Sequence, residues 1–94
     1  MQIEHQTGNS KGEFFVASSN ERLASMTYSM AGTQLMIIDH TEVSDALRGQ
    51  GAGKQLVKAA VDYARQNKLR ILPLCPFAKS VFDRTPEWHD VLDS

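Results

Sequence analysis

Val43-Ser44-Asp45-Ala46-Leu47-Arg48-Gly49-Gln50-Gly51-Ala52-Gly53 joins a strand-like run to a helix-like run, and its reading decides the fold. Upstream, Leu35-Met36-Ile37-Ile38 is apolar on both faces, as an inner strand is, and it continues through Asp39, His40, Thr41 and Glu42 to Val43. Downstream, from residue 52 to 67, the period changes. Leu56, Val57, Ala60, Val61 and Ala64 fall on one helical stripe, and Lys54, Lys58, Asp62 and Arg65 fall on the other. Between the two runs, glycines at 49, 51 and 53 permit backbone angles closed to other residues and let a ligand approach the main chain. Amides there, those of Gln50 and Ala52 included, sit at the positive end of the helix dipole, which attracts an anion.

Spacing narrows which anion. A P-loop would need glycine at Arg48 and a hydroxyl at Gln55, and the dinucleotide pattern G-x-G-x-x-G would need glycine at Lys54. Both fail. The pattern present is R-x-x-G-x-G, formed by Arg48, Gly51 and Gly53, with Val43 five positions upstream. A plain strand-to-helix turn is the alternative, but three glycines would each cost roughly 0.5–1 kcal/mol of backbone entropy if nothing required them.

Working outward, the N-terminal half reads as antiparallel strands. Residues 2 to 7 are a first strand, Gly8 to Gly12 a turn, and Glu13 to Ala17 a second strand. From Arg22 to Met30 a period of two fits a half-buried third strand. On the C-terminal side, Leu69 to Leu74 reads as a second inner strand, parallel to the one before the helix. Pro73 cannot donate a ladder hydrogen bond, so the two strands should splay there. Pro76 opens a shorter helix with Phe77, Val81 and Phe82 on its buried side, and Trp88 should anchor the tail.

Composition sets limits. With 94 residues and 41% hydrophobic content there is enough for one core and one domain, residues 1–94. A net charge of -1, without a dense Lys/Arg block, argues against a nucleic-acid or anionic-membrane surface. No run of apolar residues is long enough to span a bilayer, and the N-terminus lacks a signal-peptide pattern. Cys75 is the only cysteine, so no intrachain disulfide forms and the reducing cytoplasm is the expected compartment. His5 and His89 have no second ligand at metal spacing, and no metal is expected.

The loop resembles the pyrophosphate loop of the GNAT superfamily of acyl-CoA-dependent N-acyltransferases, and the resemblance covers residues 35 to 84. In those proteins successive loop amides bind the pyrophosphate of acetyl-CoA. After the next strand many carry N-x-x-A-x-x-L-Y, and here Cys75, Ala78, Val81 and Phe82 occupy that frame. Phe82 stands where the family often has a tyrosine that protonates the departing CoA thiolate, and Cys75 where it often has asparagine. His40-Thr41-Glu42-Val43 and Cys75-Pro76 further resemble a short, single-domain branch of the superfamily. Larger members cover the acceptor site with helices between the first two strands, and here only a turn lies between them.

The resemblance implies a minimal GNAT-like α/β (α+β) fold: a mostly antiparallel sheet with splayed, parallel central strands, one long helix and one short one. It implies acetyl-CoA as co-substrate and a small-molecule or protein amine as acceptor. A module that binds or senses acyl-CoA without efficient transfer is the alternative. Cofactor contacts fall to Val43, Arg48, Gly49, Gln50, Gly51, Ala52, Gly53, Lys54, Cys75 and Lys79. Lys54 and Lys79 read more readily as solvated lysines than as phosphate contacts. Cys75 precedes a proline-started helix, where the dipole favours a thiolate, so it reads as an acetyl-accepting or proton-transferring group. A small buried hydrophobe is the other reading. His40 and Glu42 share one strand face, and either is a candidate base for the amine or a structural polar pair. Family bases are often strand carboxylates, which favours Glu42.

Overall fold

In the computed structural model, which describes residues 1–93, five strands and two helices follow the punctuation of the sequence. β1 (Glu4–Thr7), β2 (Lys11–Ser18), β3 (Glu21–Ala31) and β4 (Leu35–Val43) form an antiparallel meander. A 3-10 turn at Asp45–Leu47 leads to α1 (Ala52–Asn67), then β5 (Arg70–Pro73), α2 (Pro76–Asp83) and a 3-10 turn at Pro86–Val91. The sheet order is β1-β2-β3-β4-β5, and only β5 lies parallel to its neighbour. A parallel neighbour requires a crossover, which α1 supplies.

One expectation changes. The parallel pair closes one end of the sheet and is not central, because among the described residues only an isolated bridge between Ile71 and Leu92 lies beyond β5. That bridge still ties the tail down. The Asp93 amide donates to the Ile71 carbonyl at 2.9 Å, and Arg65 donates to the Glu87 carbonyl at 2.9 Å and to Asp90 at 2.8 Å.

Both helices lie over one face of the sheet. Phe14, Val16, Ala24, Met26, Tyr28, Met36, Ile38 and Ile71 meet Leu56, Val57, Ala60, Val61 and Ala64 of α1 and Ala78, Val81 and Phe82 of α2 in one buried cluster. Leu56, Val57 and Val61 are fully buried, and each contributes about 1.5–3 kcal/mol relative to exposure. Trp88 sets its ring edge-on to Phe82, with centroids 6.4 Å apart, and so anchors the tail as expected. The other face carries Phe15, which lies under the Arg22 guanidinium at 3.5 Å, and the half-buried Ile37 and Leu72 of the β4–β5 pair, among polar side chains.

β4 does not alternate evenly. Tyr28 pairs with Ile38 while the adjacent Thr27 pairs with His40, so Asp39 is bulged out of the ladder. A bulge shifts the side-chain parity. Met36 and Ile38 point toward the helices before it. Beyond it Thr41 and Val43 do, opposite Met26 and Ala24, while His40 and Glu42 take the open face.

Candidate functional site

The loop between β4 and α1 begins with a capped turn. The Ser44 side chain accepts from the Ala46 amide at 3.2 Å, and Leu47 is buried as an anchor. Gly49 and Gly51 then take φ of 81° and 69°, left-handed angles that side-chain-bearing residues resist. The Gln55 amide donates to the Gly51 carbonyl at 3.0 Å, closing the first turn of α1. The amides of Ala52, Gly53 and Lys54 precede that bond and point out of the helix end without an intrahelical acceptor. Gly53 serves differently. A Cβ there would lie 2.3 Å from the Phe77 ring, so this glycine lets α2 approach α1.

The splay expected at Pro73 is present. Pairing of β4 with β5 runs from Leu35 and Arg70 to Ile38 and Pro73 and ends there. β4 then continues from Asp39 to Val43 with β3 as its strand partner on one side. The Ile38 carbonyl accepts from the amides of both Leu74 and Cys75, at 3.1 and 3.2 Å, which pins the start of α2 against β4 at the mouth of the gap. Around this opening stand Val43, Leu74 and Phe77, large apolar side chains left 40%, 61% and 39% exposed.

Cys75 caps α2 and is 5% exposed. Its thiol donates to Thr41 Oγ1 across 3.5 Å. Burial pushes its pKa up, but hydrogen bonds from the Thr41 side chain and the backbone at Ala78, Phe77 and Thr41 outweigh that, and the net shift is downward. Thr41 is the residue that sequence reading missed. Its signal, the bulge at Asp39, depends on the register with β3 and is invisible along a single strand.

His40 and Glu42 form an exposed pair, Nε2 to Oε1 at 3.1 Å, on the face opposite Cys75. The candidate proton groups are therefore not clustered: the sheet separates a thiol–hydroxyl pair from an imidazole–carboxylate pair. Where β3 begins and β4 ends, a depression of about 480 Å³ is lined by Leu23, Ala24, Ser25, Glu42 and Val43, among others.

The cations named from sequence are engaged elsewhere in the chain. Arg48 pairs with Asp45 at 2.9 Å, Lys79 with Asp83 at 3.4 Å, and Lys54 lies 5.9 Å from the centre of the Trp88 ring. Phe82 is 1% exposed and packs on Trp88, so it belongs to the core. His5 and His89 are committed to hydrogen bonds with the Tyr28 hydroxyl and the Phe82 carbonyl, each at 2.6 Å.

A positive-φ glycine turn before α1, next to a strand edge opened at a proline, is the arrangement that the sequence likeness implied. The family model described as GCN5-related N-acetyl-transferase matches residues 13–91. The chain belongs to the GCN5-related N-acetyltransferase family. This N-acetyltransferase is 40% identical to a GCN5-like protein from Staphylococcus aureus whose solution structure superposes with a TM-score of 0.75, covering 97% of this chain and 88% of that one. It is 29% identical over 86 residues to the protein NATD1 of Gallus gallus, an alignment spanning 92% of this chain and 77% of the relative. A GNAT family acetyltransferase from Elizabethkingia anophelis with acetyl-CoA bound shares the fold at 18% identity and a TM-score of 0.57, covering 68% of this chain and 42% of that one. The chain is an acetyltransferase of this family, with acetyl-CoA as co-substrate.

Proposed function

We propose that the protein transfers the acetyl group of acetyl-CoA to an amine, with donor and acceptor meeting at the gap beyond Pro73. The observation that carries this reading is continuity. The glycine turn at Arg48–Gly53 leads directly to the unpaired part of β4, and both border one opening. The pyrophosphate lies on the amides of Gly49 to Lys54, and the pantetheine arm lies along β4 from Asp39 to Val43 as an added strand would. Val43, Leu74 and Phe77 give its apolar portions a rim, which accounts for their exposure.

The acceptor nitrogen attacks the thioester carbonyl carbon, a C–N bond forms, and the C–S bond breaks to release the CoA thiolate. The ammonium proton leaves to Glu42, which lines the depression and is paired with His40. The thiolate takes a proton from Cys75 on the helix side of the sheet. Acid and base then act from opposite faces and do not neutralise each other.

Calorimetry with CoA and a release assay over an amine panel test this reading. Wild type should bind CoA, and Gly51→Ala, forced to hold a left-handed angle at about 1–2 kcal/mol, should bind it more weakly. Glu42→Gln should keep CoA affinity and lose about 10²-fold in turnover, the scale of general-base catalysis. Cys75→Ala should also keep affinity and lose turnover. Binding without amine-stimulated CoA release would identify an acyl-CoA-binding module, and no heat with CoA would reject the loop assignment.

A further inference from the structure

The bulge at Asp39 selects which β4 side chain meets the thiol. With even alternation after Ile38, His40 and Glu42 would face the helices. Instead they face away, and Thr41, half-buried, takes that side opposite Met26. The start of α2 is fixed against the same strand by the two amides on the Ile38 carbonyl, so the thiol and the hydroxyl are held from two elements. Thr41 Oγ1 is the side-chain partner of Cys75 Sγ at 3.5 Å.

We propose that Thr41 is a positioning residue of this site: its hydroxyl holds Cys75 Sγ at the mouth of the gap, accepting from the thiol and donating to the thiolate. Thr41 acts through Cys75. The role rests on reading the gap as the thioester site, and the contact itself does not.

The surroundings favour a hydrogen-bonding role over a charge effect. From β4 the thiol meets the hydroxyl and backbone of Thr41, and from α2 the backbone at Phe77 and Ala78. On α2 the nearest cation, Lys79, is paired with Asp83, and on β4 the titratable pair His40 and Glu42 lies on the opposite face. Removing the hydroxyl removes the hydrogen-bond partner that holds Sγ from β4.

Because Cys75 is the only cysteine, its alkylation by iodoacetamide can be followed by intact mass without interference. The rate is measured against pH in the apo protein for wild type, Thr41→Val and Thr41→Ser, with circular dichroism as a control for folding. Thr41→Val should move the midpoint upward by about one pH unit, the scale of one lost hydrogen bond to a charged group. Thr41→Ser should restore it. An unchanged midpoint in Thr41→Val overturns the proposal, as does a shift that serine fails to rescue. Should valine unfold the chain, Thr41→Ala replaces it under the same criteria. The assay contains no CoA: a shifted midpoint in a protein that releases no CoA with any amine would sink the amine-transfer reading and leave only the Thr41–Cys75 contact standing.

Discussion

Gly51 and Gly53 stand two positions apart and are required for different reasons. Gly51 holds φ of 69° with open space where a Cβ would go, so its demand is conformational. Gly53 lies inside α1, and its demand comes from the Phe77 ring. The sequence presents three glycines as one anion loop, because Phe77 lies in another element and its approach is a tertiary fact. The atoms a Cβ at Gly53 would meet are the far end of a partly exposed ring. Gly53→Ala should therefore swing Phe77 toward solvent and leave the helix in place. Alanine's helix propensity, about 1 kcal/mol over glycine, offsets the lost ring contact, so unfolding free energy should change by less than about 1 kcal/mol. Acetyl-CoA affinity should fall, since the ring has left the rim. In a calorimetric double-mutant cycle with Phe77→Ala, the second substitution should add little. A large stability loss with unchanged affinity would show that Gly53 serves packing alone.

At the scale of elements, α1 was legible with its full bounds, because sixteen residues of apolar periodicity leave little choice of period. The end of β5 was legible for a local reason, the missing amide of Pro73. The parity of β4 was not. His40 and Glu42 do share a face, as alternation requires, but which face depends on pairing with Thr27 and Tyr28. α1 also ends in a way the sequence leaves unmarked: Lys68, not glycine, takes the left-handed position at φ of 57°. The Lys68 and Leu69 amides both reach the Ala64 carbonyl, the latter at 2.8 Å, so the helix stop requires that angle. Lys68→Gly should relieve the strain and stabilise the protein by about 1 kcal/mol. Urea denaturation should show a higher midpoint at unchanged slope; a lower midpoint would mean that the lysine makes compensating contacts.

For the whole molecule, both helices cover one sheet face, and that layering depends on a strand the sequence marks weakly. β1 is exposed along its length, yet His5 reaches from it toward the helix side. Its ring stacks on Phe14 with centroids 4.1 Å apart, meets Tyr63 of α1 edge-on at 4.6 Å, and hydrogen-bonds the Tyr28 hydroxyl of β3. A lone histidine near a chain end carries no sequence signal for this, since its partners come from three other elements. Burial beneath those rings lowers the His5 pKa and raises that of Tyr28 to about 12, with the Tyr63 phenolate adding a smaller push. The sign for stability follows. Below about pH 6.5 the unfolded chain protonates His5 while the folded chain still holds it neutral, so the unfolded state binds more protons. Stability should therefore be full at pH 7.5, begin to fall near pH 6.5, and level off once the folded-state pKa is passed. The Arg65–Asp90 pair acts in a separate window: hydrogen bonding to Arg65 lowers the Asp90 pKa, so its contribution fades only as pH falls below about 3.8. Urea midpoints at pH 7.5, 6 and 5 for wild type and His5→Gln resolve the first window. Glutamine keeps an acceptor for Tyr28 but cannot titrate, so the variant should be less stable at pH 7.5 and flatter between 7.5 and 5. Equal slopes in the two proteins would place the pH dependence on a residue other than His5.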